Sequence, residues 1–477
     1  MLALVLSAGA VACSSDDGDA TPATAAATST PATTDTTAPD TEPVATDTAA
    51  TEPETSETVS ATTPDTAPDT APDTTPATAD TTPGTTEPES TEPSRTEAPE
   101  TTATESTVAG GGLLEAPEGD AFYDAPDPLP GDAPGDLIWA RPIDTAPAGS
   151  IAWLVLYRSE DVGGDPIPVS GIVVAPADPA ARTNAVVTWA HGTTGLADKC
   201  APSTFVTNGN GGSLDRAMTF IDQGWTYVAT DYEGLGTDGV HPYLVGISEG
   251  RGVLDIVRAA QQLPESGVAT DSQIAIFGHS QGGHAALMTG DIAASYAPGL
   301  DIVGTVAAAP AGELALIEGA TSAGGGLGGF GLMMLAGFLD AYPNLPIDAV
   351  ANDEWKPLIE QVAETCTSEA FALAGNAGVR PNGALNEEWK AVLDANSPGN
   401  VVPVVPVLMV HGDADGTVPP VLSQLMHDKY CALGVASQRN IYPGADHGSV
   451  IVDSAADVIA WITDRLAGVP APTSCGT

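Results

Sequence analysis

QIAIFGHSQGG, residues 273–283, is the stretch from which the rest of the chain can be placed. Its first five residues form an apolar run of buried-strand length, and a helical pattern begins at Gly282 and runs to Ser295. Between them Gly278, Ser280 and Gly282 spell Gly-x-Ser-x-Gly. A serine hydroxyl is a weak nucleophile unless a sharp strand-to-helix turn holds it, with small neighbours that tolerate a strained backbone and leave Oγ exposed. The pattern is common by itself. Its position between strand and helix is what makes Ser280 the candidate nucleophile.

Outward from this point the chain alternates. Residues 185–190, 225–230, 302–308 and 404–410 are further continuous apolar runs, and residues 214–222, 250–263, 421–431 and 450–466 carry helical periodicity. Such alternation specifies an α/β fold with a mostly parallel central sheet covered on both faces. Upstream, residues 151–157 and 169–175 are β-branched runs around a Gly/Asp/Pro turn, which predicts an antiparallel hairpin. Residues from about 311 to 400 break the rhythm with a Gly-rich run and the apolar residues Leu332, Met333, Met334, Leu335 and Phe338. An insertion here is expected to lie over the carboxyl ends of the strands, where ligands bind in such sheets, and to favour long or bulky acyl groups.

The serine needs a base and the base an orienting carboxylate, in the chain order Ser, acid, His. His447 stands in Gly-Ala-Asp-His-Gly (444–448), after a short strand pattern at 439–442 and before the last helix, and is the candidate base. Asp413 and Asp415 both follow the run at 404–410. Asp415, nearer Val418-Pro419, is preferred as the acid, with Asp413 as the alternative in a turn-forming role. His279 and His284 read as packing residues beside the serine, and His427 as a helix residue. His191 and His411 end strands next to glycines, where a structural hydrogen bond is expected. For a developing oxyanion, the backbone N–H of Gln281 and that of Thr193, in the loop after 185–190, are the expected donors.

The chain carries a net charge of -49. Residues 14–110 hold 20 of its 63 acidic and one of its 14 basic residues, so the rest still carries about -30. A field of that sign repels phosphate, which excludes nucleic acid as a partner and argues against direct docking on anionic membranes. From 14 to 112 the sequence is a Thr/Ala/Pro/Ser/Asp/Glu tract without a core-forming pattern and reads as a disordered stalk. Before it, a short apolar run ends in Ala10-Val11-Ala12-Cys13, like the processing site of a bacterial lipoprotein. Residues 1–13 are therefore expected to be a signal segment ending at a lipidated Cys13, which would anchor an exported protein to the cell membrane. The alternative is an ordinary cleaved signal. Cys200, Cys366, Cys431 and Cys475 have no metal-ligand spacing and in an exported chain read as two disulfides, with three possible pairings.

Four segments together, Ala-His-Gly-Thr-Thr-Gly (190–195), Asp-Tyr-Glu-Gly-Leu-Gly (231–236), Gly-His-Ser-Gln-Gly-Gly (278–283) and Gly-Ala-Asp-His-Gly (444–448), resemble the secretory lipase family of α/β-hydrolases. That family includes the fungal lipase A type and exported actinobacterial proteins. The likeness covers roughly 122 to 477 within a catalytic region of 113–477. It implies an α/β-hydrolase fold with a helical cap between the sixth and seventh core strands. It also implies triacylglycerol lipase or esterase activity on a small-molecule or lipid ester, and no metal or cofactor. From the family, Cys200 would pair with Cys366 and Cys431 with Cys475. Gln281 departs from the fungal members, which carry glycine there. Another serine hydrolase (polyester hydrolase, peptidase or acyltransferase) is the alternative on this fold, and a non-catalytic surface binder is the rival from another class. A monomer is expected.

Overall fold

Every strand of the central sheet apart from the first coincides with a stretch that the sequence pattern marks as a strand. The computed structural model describes residues 114–209, 212–322, 326–375, 385–403 and 405–476. The signal segment 1–13 with Cys13, and the stalk over 14–112, lie outside them. The strands are β1 (Leu137–Pro142), β2 (Ser150–Glu160), β3 (Pro166–Pro176), β4 (Ala185–Ala190), β5 (Thr226–Thr230), β6 (Gln273–His279), β7 (Asp301–Ala308), β8 (Val407–Gly412) and β9 (Ser437–Tyr442). They form one sheet in the order β1-β2-β3-β5-β4-β6-β7-β8-β9. β1, β2, β3 and β5 pair antiparallel in turn, with Ile151 opposite Ala175 in the expected hairpin, and all pairs from β5 to β9 are parallel.

The helices are α1 (Pro202–Thr207), α2 (Gly212–Ile221), α3 (Gly246–Gln261), α4 (Gln281–Tyr296), α5 (Leu314–Ser322), α6 (Gly328–Ala341), α7 (Lys356–Val362), α8 (Thr367–Ala374), α9 (Glu387–Ala395), α10 (Pro420–Ala432), α11 (Val450–Asp453) and α12 (Ala455–Leu466). Successive strand side chains point to opposite faces, so each central strand feeds two cores. Val187, Trp189, Ala275 and Phe277 pack with Phe220 of α2 and Trp461 of α12. Their neighbours Val186 and Ile274 pack with Ile256 and Val257 of α3, while Ile276 meets Ala285 and Ala286 of α4. Burial on both faces is why these strands read as unbroken apolar runs.

Four expectations need correction. β1 was absent from the sequence reading, and counting it makes the two strands that flank the cap, β7 and β8, the seventh and eighth of the chain. The strand expected from 404 begins at Val407, after Pro406, which has no N–H for a ladder. The closing helix expected over 450–466 is two helices meeting at Ser454. The apolar block of the cap, expected to favour long or bulky acyl groups, is interior. Leu332, Met333, Leu335 and Phe338 are fully buried in α6 and share a core with Tyr243, Leu244, Trp355, Trp389 and Leu422. Gly337 of α6 lies so close to the loop beneath that a Cβ there would meet Tyr243 N at 2.4 Å.

Two disulfides join Cys200 to Cys366 and Cys431 to Cys475. The first reinforces a backbone contact between the loop after β4 and the start of α8: Leu196 N donates to Thr365 O at 2.9 Å and Thr367 N to Thr194 O at 3.0 Å. The second holds the C-terminal residues along the edge strand β9, where Ser474 N donates to Ser437 O at 2.9 Å. Covering an edge strand in this way removes a template for pairing with another chain.

Candidate active site

Ser280 sits between β6 and α4 with φ 61° and ψ -119°, a backbone conformation that costs a non-glycine residue energy. The neighbourhood forces it. Ser280 N donates to Ala308 O at 2.9 Å, and its carbonyl accepts from His284 N at 3.1 Å and Ala311 N at 3.2 Å. Glycines are needed on both sides because the backbones touch. A Cβ on Gly278 would stand 2.0 Å from Gly282 O, and one on Gly282 would stand 1.9 Å from Ala190 O. The turn thus presses α4 against β4 and lifts a half-buried Ser280 to the carboxyl end of the sheet.

His447 lies in the loop between β9 and α11. Its Nδ1–H donates to Asp415 Oδ2 at 2.7 Å, which directs Nε2 away from the carboxylate. Its ring packs on that of His279, the residue before Ser280, with centroids 4.6 Å apart, and His279 Nε2 lies 2.8 Å from the His447 carbonyl. Burial, followed by the neighbouring His447, pushes the His279 imidazole down to about 3. A neutral His279 therefore donates to that carbonyl and ties the histidine loop to the nucleophile turn.

Asp415 is buried, and its second oxygen accepts from Thr417 N at 2.9 Å and Val418 N at 2.8 Å. Burial acts to raise its carboxyl, but hydrogen bonds from His411 and then His447 outweigh it and hold the group well below the usual carboxylate range. Asp413 is exposed instead and accepts from Gly444 N at 2.6 Å, fastening two loops. The structure brings Asp415, and not Asp413, to His447.

Gln281 is the first residue of α4, so its N–H is one of the donors that a helix leaves unpaired at its start. Across from it Gly192 faces the turn, its missing Cβ 3.7 Å from Ser280 Cβ. Thr193 follows, with Oγ1 at 2.9 Å from Tyr243 OH.

The other histidines are structural, with one addition. His191 lies 2.7 Å from Gly192 O and 3.2 Å from Asp231 O through its two nitrogens. His284 and His427 sit on α4 and α10. His411 was read as a strand-end residue, yet its Nε2 stands 2.9 Å from Val418 O and 3.2 Å from Asp415 Oδ2, so it also braces the acid. Its position four residues before Asp415, across a turn, was the available signal. Among the described residues, the one metal-compatible group is His427 with Cys431 and Cys475, whose sulfurs are bonded to each other.

A serine on a strand-to-helix elbow, with a His–Asp pair on the loops after the last two strands, is the arrangement of the α/β-hydrolases. The profile of the secretory lipase family matches residues 214–474, and the chain belongs to that family. A Mycobacterium tuberculosis protein named probable inactive lipase is 28% identical over 380 residues, covering 74% of this chain and 83% of its own. A secreted triacylglycerol lipase of Malassezia globosa is 24% identical over 383 residues, covering 73% of this chain and 79% of its own. The closed state of Candida antarctica lipase A shares the fold, with a TM-score of 0.66 at 23% identity over 77% of this chain and 90% of that one.

Proposed function

We propose that this chain is an exported serine carboxylic-ester hydrolase, a triacylglycerol lipase or esterase that works through an acyl-enzyme on Ser280. The observation that carries the proposal is the strained Ser280 on a turn whose preceding residue, His279, packs against His447, a histidine whose Nδ1 is held by a buried, ionised Asp415. Ser280 Oγ attacks the ester carbonyl while His447 Nε2 takes its proton, and the carbonyl electrons move to an oxyanion held by the N–H groups of Gln281 and Thr193. His447 then returns the proton to the departing alcohol. Water, deprotonated by the same nitrogen, releases the acid. Asp415 orients the ring and offsets the charge it gains.

Export accords with the secreted relative and the two disulfides. Among the described residues no helix is long and apolar enough to cross a membrane. We place the attachment, as lipid, on Cys13.

The name of the mycobacterial relative favours a second reading, a fold kept without turnover. One experiment separates the two. Wild type should hydrolyse tributyrin and nitrophenyl esters and take a fluorophosphonate label. Ser280→Ala should do neither while keeping its circular dichroism spectrum. A folded wild type that shows no turnover and no label establishes the non-catalytic reading.

A further inference from the structure

Gln281 brings a long amide to a position deep beneath the nucleophile, and its side chain is 1% exposed. Its Nε2 donates to Glu249 Oε1 at 2.7 Å and lies 2.8 Å from His241 Nε2. His241 Nδ1 stands 2.9 Å from Glu233 O, which needs a donor there and leaves Nε2 as an acceptor. The amide orientation is thereby fixed, since a flipped Gln281 would set its oxygen against the carboxylate.

Glu249 is itself fully buried on α3. The oxygen that accepts from Gln281 also accepts from Leu244 N at 3.0 Å. Leu244 has φ 63°, a left-handed conformation that persists only where the surroundings hold it. It follows Tyr243, whose hydroxyl meets Thr193 Oγ1. A single carboxylate oxygen thus joins the residue carrying one oxyanion donor to the strained turn that abuts the residue carrying the other. The second oxygen lies 3.0 Å from His284 Nδ1, and His284 Nε2 lies 2.7 Å from the carbonyl of Asn396, at the end of cap helix α9. Burial acts to raise the Glu249 carboxyl, and the bonds from His284 and Gln281 hold it below the ordinary glutamate range.

We infer that Glu249 is a positioning residue for the oxyanion site, setting Gln281 and Thr193 in register and tying both to the base of the cap. This rests on the reading of Ser280 as nucleophile. Catalysis by oriented donors is sensitive to small displacements, because only donors already aimed at the developing charge stabilise it.

The test compares Glu249→Met, which strands the buried donors of Gln281, Leu244 and His284, with Glu249→Gln. In the latter the amide oxygen can accept from both Gln281 and Leu244, and the amide nitrogen can donate to His284 Nδ1 once that ring carries its proton on Nε2. Glu249→Met should lower kcat roughly 10- to 100-fold with KM little changed, and Glu249→Gln should recover most of it. Affinity for a trifluoromethyl ketone, which forms a tetrahedral adduct with the serine, should fall in parallel with kcat/KM. Binding of the corresponding non-reactive ether should not change. Gln281→Met should show the same pattern more weakly, and it decides the matter where Glu249→Met fails to fold. Wild-type kcat and ketone affinity in Gln281→Met or in folded Glu249→Met overturn the inference, as does a Glu249→Gln variant as impaired as Glu249→Met. Those results alongside an inert Ser280→Ala overturn this inference alone. Turnover that survives Ser280→Ala overturns both.

Discussion

At the scale of single residues, the site was most legible where chemistry and backbone make the same demand. Gly278 and Gly282 are glycine because a methyl group at either would overlap a neighbouring backbone, and Ser280 lies between them in a conformation that few side chains tolerate. His447 could be singled out because it alone occupies a late loop before the closing helices. The two aspartates could not be separated with the same force, since both lie in one loop and the choice depends on which way the turn folds. Asp415 points inward to His447 and His411, and Asp413 outward to Gly444 N. Asp415→Asn should therefore lower kcat about 10⁴-fold, by analogy with the loss of the orienting carboxylate in a serine protease triad. Asp413→Asn should cost little turnover and show its effect in thermal stability. Equal losses of kcat on a nitrophenyl ester would mean that Asp415 does not orient the base. Glu249 was invisible in the sequence because its meaning lies in partners such as Gln281 and His284, more than thirty residues away and brought together by the packing of α3 on α4.

Elements were legible in proportion to their burial. β4 and β8 are buried along their whole length and stand out as apolar runs. β1 loses burial over its last three residues, ends in Arg-Pro and pairs through an irregular register with β2 alone, so it gave no such signal. The cap is a different case. Its apolar residues, read as favouring long or bulky acyl groups, first build the core that a small inserted layer needs, and α6 supplies it. The cap is then joined to the catalytic core beside Thr193 by the Cys200–Cys366 bridge and two backbone hydrogen bonds. The bridge spans 166 residues, which in the chain-entropy model is worth up to about 5 kcal/mol, and native-state strain commonly reduces such figures. A Cys200→Ser/Cys366→Ser protein should lose stability to urea. It should also lose hydrolysis of long-chain nitrophenyl esters more than of the acetate, because long chains need the cap as a wall. An unchanged ratio of long-chain to acetate rates in a folded variant would detach the cap from acyl-chain recognition.

At the scale of the whole molecule, the charge bears on how the protein meets a membrane. The chain carries -49, and about -30 of this remains outside the tract from 14 to 110. Anionic lipid repels such a surface, the more strongly at low ionic strength. On the proposed reading of an exported and anchored protein, attachment would come from hydrophobic chains and not from the electrostatics of the folded region. One acyl chain gives only marginal, reversible binding, and a stable anchor takes two signals. A lipoprotein-type modification of Cys13 supplies more than one chain on a single residue. The proposal can be tested by metabolic labelling with an alkyne fatty-acid analogue in a host that processes lipoproteins. Wild type should carry the label and sediment with membranes even in high salt, since screening does not weaken acyl insertion. Cys13→Ser should carry no label and, where export continues, should be recovered in the medium with its esterase activity unchanged per molecule, because the substitution lies far in sequence from Ser280. An unlabelled wild type recovered in the medium would replace the anchor with a cleaved signal peptide. Labelled protein that salt strips from membranes would mean that a surface the net charge argues against is contributing to attachment.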